Sequence, residues 1–181
     1  MQDILEMAFL NTGLGAAVIG SIACVMLGGI GSARGIRVAA AQGAGVLSEK
    51  PDLFGKLLVL IALPGTQGFY GFIVAFMMWQ GIGLTGNEVN CAPLCGWALM
   101  YVGICVGMVL WWSGIRQGEA SAAAISLTGK QPDEGGRAIL LPALVETYAV
   151  VALLAAILVT QWLTKFAYSP AGEVLKKLTT E

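Results

Sequence analysis

Hydrophobic residues in this chain fall in four long runs, with none of the alternation that marks an amphipathic fold. Met7–Ala33, Leu57–Gly86, Val89–Ile115 and Ala138–Thr164 extend over 27, 30, 27 and 27 residues, and the four together hold one formal charge, Glu146. A helix needs about 20 mostly apolar residues to cross the hydrocarbon core of a bilayer, so each run is long enough to span with some tilt. The pattern predicts an all-α membrane protein with four transmembrane helices. What lies between the runs is too short and too scattered for a soluble domain.

The chain also repeats. At an offset of 79, Gly35-Ile36-Arg37 falls on Gly114-Ile115-Arg116; at an offset of 78, Leu63-Pro64 falls on Leu141-Pro142 and Tyr70 on Tyr148. Each half therefore reads as one hairpin: a glycine-rich helix, a basic connection, then a proline-containing helix. Residues 1–86 form the first hairpin; residues 87–181 form the second, with Glu146 and a short tail. Two helices per half give both halves the same orientation, so these are parallel repeats, unlike the inverted repeats of many secondary transporters.

Charge orients the hairpins. Arg34, Arg37, Lys50 and Lys56 follow the first run, and Arg116, Lys130 and Arg137 follow the third, while the connection between the second and third has no basic residue. The positive-inside rule thus assigns segments 31–56 and 114–137, read as loops, to the cytoplasm and both termini to the outside. Lys165, Lys176 and Lys177 in the tail pull the other way but are outnumbered. Asp3 and Glu6, with no Lys or Arg among the first six residues, are the reverse of a signal peptide's basic start.

Composition removes several chemistries. There is no histidine, so imidazole metal sites, triads and pH switches are excluded. The pI near 5.4 argues against nucleic acid as a partner. Cys24 and Cys105 sit inside apolar runs as small packing residues. Cys91 and Cys95 flank Pro93 near a helix start, and spacing leaves both a disulfide and two free thiols open. Ala16, Gly20, Cys24 and Gly28 in the first helix, and Gly103, Gly107, Gly114 and Gly118 in the third, form small-residue faces. Such faces allow close helix packing in lipid, where apolar burial drives little. Phe69, Tyr70, Phe72, Phe76 and Trp79 make the second helix bulky, as suits an outer, lipid-contacting layer.

Glu146 is the residue that needs a function. An acid at a helix centre costs about 2.5–3.5 kcal/mol on insertion scales, and no span offers it a Lys or Arg. It must be protonated, paired with a cation from elsewhere, or set against a polar cavity. The depth of Glu146 in its run reads as near mid-membrane. Oxygen-bearing neighbours are on offer. Leu63 and Gln67, like Thr66 and Tyr70, are four apart on one side of the second helix. Pro64 interrupts the helix ladder there and can free carbonyls such as that of Leu63. Gln117 adds an amide near the end of the third helix. Carboxylate, hydroxyl, amide and carbonyl oxygens suit a hard cation, whereas a proton needs only the carboxyl group.

The strings Leu63-Pro64-Gly65-Thr66-Gln67-Gly68-Phe69-Tyr70-Gly71 and Leu141-Pro142-Ala143-Leu144-Val145-Glu146-Thr147-Tyr148-Ala149 resemble the paired motifs of the rotor-ring proteolipid of bacterial V-type (V/A-type) ATPases. That proteolipid is subunit K, the c-subunit equivalent, and the likeness is to the sodium-translocating branch. It extends over nearly the whole chain, apart from the tail beyond Lys165. The resemblance implies identical subunits in a closed membrane ring, with first and third helices inside and second and fourth outside. It implies a stator membrane subunit and central-stalk subunits as partners, and a chain that is not an enzyme alone. It also implies Na⁺ ligands at the Leu63 carbonyl, Thr66, Gln67, Gln117 and Glu146, with Tyr70 hydrogen-bonded to the carboxylate. Gln67 stands where proton-carrying relatives can have a second carboxylate, so one ion is carried per two hairpins. The same rotor carrying H⁺ is the first alternative. A small drug–proton antiporter and an inert tetraspan scaffold are rivals from other classes.

Overall fold

The computed structural model describes residues 13–86, 89 and 91–167. The start of the first run, the boundary expected at residues 86 and 87, and the tail lie wholly or partly outside them. Four spans appear. The first is helix α1 (Leu14–Glu49). The second joins α2 (Phe54–Ala62) to α3 (Thr66–Gly81) through a tight 3₁₀ turn at Leu63–Gly65. The third is α4 (Pro93–Lys130). The fourth joins the one-turn helix α5 (Gly135–Ala138) to α6 (Leu140–Ala167). All four are long and apolar enough to cross a membrane, and the described residues contain no strand.

The long inner pair α1 and α4 run side by side with backbones nearly touching. A Cβ added to Gly20 would strike the backbone of Met100, and one added to Gly103 would strike the Gly20 carbonyl. The same holds where Gly35 meets Gly114 and Gly118. Only glycine permits this approach, which brings the dispersion contacts that hold helices together in lipid. The outer helices pack on this pair: Gly71 of α3 lies against Cys24 of α1, and the Trp79 indole donates to Ser21 Oγ at 2.8 Å. The free side of the second span is bulky, with Phe69 72% exposed, as expected of a lipid-contacting layer.

One expectation needs correcting. Segments 31–56 and 114–137, read as loops, are mostly helix, since α1 continues to Glu49 and α4 to Lys130. At 1.5 Å per residue these helices are about 54 and 57 Å long, well beyond the roughly 30 Å of a hydrocarbon core. The physical reason is that Arg34, Arg37 and Arg116 lie on exposed flanks, while Ala39, Ala124 and Ile125 stay fully buried. A second apolar cluster of Leu53, Leu57, Leu60, Ala124 and Ile125 therefore extends the bundle at its basic end. Charge ends the apolar run without ending the helix. Cys91 and Cys95, whose spacing leaves a disulfide open, are free thiols.

Candidate functional site

A polar layer separates the apolar cluster at the basic end from the one running through Cys24, Val74, Met78, Leu99 and Ala149. It is assembled from all four spans. The break in the second span supplies the first part. Pro64 has no N–H to continue the ladder, and the chain tightens to 3₁₀ over Leu63–Gly65. The Leu63 carbonyl there accepts both the Thr66 N–H and, at 3.1 Å, the Thr66 hydroxyl. One residue on, the Gln67 side chain points into the bundle and is fully buried. The Gly68 N–H donates to Ser32 Oγ at 2.9 Å, tying the start of α3 to α1.

Gln117 of α4, also fully buried, is the hub. Its amide oxygen accepts from Gln67 Nε2 at 2.5 Å. Its own Nε2 donates to the Pro142 carbonyl at 3.1 Å and to Glu146 Oε2 at 3.4 Å. Tyr70 closes the other side, its hydroxyl donating to Glu146 Oε1 at 2.6 Å. The half-buried Glu146 carboxylate thus accepts from two spans while lying on a third. Glu146 is the seventh residue of α6, about 9 Å along that helix.

Of the expected ligand residues, the structure brings Gln67, Gln117, Tyr70 and Glu146 into one hydrogen-bonded chain, with Thr66 and Leu63 bonded to each other at its edge. Three members lie beyond the expected set. Ser113, nearly buried, takes a long bond of 3.5 Å from Gln67 Nε2; Ser32 and the Pro142 carbonyl are the others. Ser32 and Ser113 stand 81 apart where the nearby Gly-Ile-Arg strings are 79 apart, so the repeat does not pair them. The Pro142 carbonyl has no signal either, since backbone acceptors leave no mark in a sequence.

One atom in this layer is out of balance. Gln67 Oε1 is buried and accepts no hydrogen bond, which costs about 1–3 kcal/mol when nothing compensates. Among the described residues no group of three His, Cys, Asp or Glu could hold a metal. A cation here would have one carboxylate and otherwise neutral oxygens. That balance suits a monovalent ion, since a single positive charge cancels Glu146.

Fold and site together define a class: a multi-pass membrane proteolipid of two fused hairpins that keeps one ionisable carboxyl group between its helices. Comparison with known proteins sharpens this. The model for the C subunit of ATP synthase matches the chain twice, over residues 19–78 and 100–159, once in each hairpin. The V-type sodium ATPase subunit K of Enterococcus hirae is 34% identical over 143 residues, which are 78% of this chain and 87% of that protein. The A-type ATP synthase subunit K of Methanocaldococcus jannaschii is 37% identical over 130 residues, 71% of this chain and 56% of that one. The c' subunit of the V-type proton ATPase of Neurospora crassa is 27% identical over 122 residues, 67% and 66% of the two chains. The chain belongs to the ATP synthase C-subunit family. It is a rotor proteolipid of the V/A-type ATPases, a subunit that works within a complex and is not an enzyme by itself.

Proposed function

We propose that this rotor subunit carries Na⁺, one ion per chain, at Glu146 with Thr66, Gln67, Gln117 and the Leu63 carbonyl as the remaining oxygens and Tyr70 as the latch on the carboxylate. Residues 1–86 and 87–181 are its two hairpins, and identical copies close into a ring that turns against a stator membrane subunit and is joined to the central stalk. The basic end faces the cytoplasm and both termini face outward. The carrying observation is the orphaned Gln67 Oε1 beside the carboxylate chain. A proton on Glu146 leaves that oxygen without a partner, whereas a hard cation uses it. The name of the Enterococcus hirae relative supports the same ion.

The mechanism follows from charge. A bare carboxylate is expensive in hydrocarbon, but a carboxylate neutralised by its ion can pass through lipid as the ring turns. At the stator a fixed positive charge, which none of the four apolar runs of this chain supplies, favours the empty carboxylate and releases the ion. The test is carbodiimide labelling of Glu146 in the assembled rotor. Millimolar Na⁺ is expected to slow the labelling severalfold. Labelling indifferent to Na⁺ at every pH would leave the rotor intact but make its cargo H⁺, the ion named for the Neurospora crassa relative.

A further inference from the structure

The proposed Na⁺ ligands lie on the second, third and fourth spans, and α1 supplies none of them. It nevertheless grips the backbone that carries three, Leu63, Thr66 and Gln67. Gly28, Ser32 and Gly35 do this from one face of α1, following at intervals of four and three. A Cβ added to Gly35 would meet Pro64 Cβ at 2.8 Å, so the turn at Leu63–Gly65 lies directly on α1. A Cβ added to Gly28 would meet the Gln67 carbonyl oxygen at 2.7 Å. Between these contacts the Ser32 hydroxyl, on a residue only 6% exposed, accepts the Gly68 N–H at 2.9 Å. The Gln67 carbonyl and the Gly68 N–H belong to one planar peptide unit. Its two ends are thus held on α1 by residues four apart.

The need for this grip is local. The first N–H groups of a helix lack partners within it, and a side-chain oxygen at the N-cap ordinarily accepts from the second or third residue. In α3 the cap position is Gly65, which has no side chain, and the helix starts without a side-chain cap of its own. Gly68 is the third residue of α3, so Ser32 supplies from α1 the oxygen that Gly65 lacks. The second hairpin has no such arrangement. At the offset of 78, Gly65 falls on Ala143 and Gly68 on Glu146 itself, and α6 is continuous from Leu140 through this stretch. The consequence falls on Gln67. Its side chain is fully buried, with Nε2 bonded to Gln117 Oε1 on α4. Backbone and amide nitrogen are thereby fixed on two different helices, and together they set where the unpartnered Oε1 lies.

We propose that Ser32 is a positioning residue of the ion site: by capping Gly68 it holds Gln67 so that Oε1 meets the ion beside Glu146. Ser32 acts through Gln67 and is not itself a ligand. This role rests on the Na⁺ reading above and brings into it the span that the ligand set leaves out.

The test follows carbodiimide labelling of Glu146 in the assembled rotor against Na⁺ concentration, with the unmodified chain measured first. Ser32→Ala is expected to raise the Na⁺ concentration for half protection about fivefold, the factor that one ordinary hydrogen bond contributes. The pH dependence of labelling without Na⁺ should stay where it is, because the carboxylate's own bonds come from Tyr70 and Gln117. Ser32→Thr keeps the hydroxyl and should remain within twofold of the unmodified chain. Ser21→Ala is the control on the same two helices. It removes the acceptor of the Trp79 indole, a 2.8 Å bond between α1 and α3, about 16 Å along α1 from Ser32, and should also remain within twofold. A Ser32→Ala rotor within twofold of the unmodified one, a Ser32→Thr rotor as weak as Ser32→Ala, or an equal rise with Ser21→Ala overturns the role and leaves the Na⁺ reading standing. So does a Ser32→Ala chain that fails to assemble or whose Na⁺-free pH dependence moves, since Ser32 then supports the fold at large. Labelling of the unmodified chain that ignores Na⁺ at every pH sinks the Na⁺ reading and the positioning role together.

Discussion

In the first hairpin Tyr70 turns inward and donates to a carboxylate on the other hairpin at 2.6 Å; in the second, its counterpart Tyr148 is 74% exposed. The paths of the two hairpins are alike. Each has a glycine-lined inner helix, a Pro-Asp turn at Pro51-Asp52 or Pro132-Asp133, and an outer helix disturbed near a proline. Their contents have parted. The first offers neutral oxygens at Thr66, Gln67 and Leu63; the second brings the charge at Glu146 and the amide hub at Gln117. Neither half alone holds the whole hydrogen-bonded chain from Gln67 to Glu146. On the proposed Na⁺ reading, the difference teaches that duplication has divided one binding function between two copies, so that two membrane hairpins share a single charge.

That division can be broken at its strongest point. Glu146→Gln removes the only formal charge in the four apolar runs and keeps the shape of the side chain. Ion-driven ATP turnover in reconstituted vesicles should fall at least a hundredfold, carbodiimide labelling should vanish, and the ring should still assemble. Gln67→Leu in the other hairpin should weaken Na⁺ protection roughly tenfold, in line with the loss of one buried polar contact of about 1–2 kcal/mol, while Glu146 still labels. Equal phenotypes from the two changes would contradict a division into charge and neutral ligands.

The tyrosines give the next effect. A hydrogen bond to a charged acceptor contributes about 1.5–3 kcal/mol, so Tyr70→Phe should raise the Na⁺ concentration needed for half protection by tenfold or more. Tyr148→Phe should leave that concentration within twofold, because Tyr148 is largely exposed and the carboxylate's hydrogen bonds come from Tyr70 and Gln117. The comparison is internal: same substitution, same repeat position, opposite hairpins.

Much of this is legible in the residues themselves. Four apolar runs define four spans because lipid tolerates neither charge nor unpaired backbone. The repeat marks two hairpins, and a lone acid in oil marks itself. Glycine spacing shows that faces meet but not which glycine meets which, because register is a property of the pair of helices. One feature misleads. Arg34, Arg37 and Arg116 end the apolar pattern, yet a helix persists wherever one flank stays buried, as at Ala39 and Ile125.

The smallest effect lies at the turns. The Pro-Asp motifs match at an offset of 81, with Lys50 before one and Gln131 before the other. Lys50 Nζ donates to the Gly129 carbonyl at 2.6 Å, and Lys56 Nζ to the Pro132 carbonyl at 3.0 Å. Gly129 is in the last turn of α4, where carbonyls lack helix partners and the dipole favours a cation. The first hairpin therefore caps the inner helix of the second. Lys50→Gln should cost about 1 kcal/mol locally and speed amide hydrogen exchange at residues 124–130 about fivefold, leaving exchange around Gly31 and Gly114 unchanged. Gln131→Lys, the mirror change, should shift stability by less than about 0.5 kcal/mol, as for most exposed substitutions. If Gln131→Lys stabilised the end of α1 as much as Lys50→Gln loosens the end of α4, the capping would be reciprocal. The two turns would then be equivalent, and the asymmetry between the hairpins would be confined to the ion site.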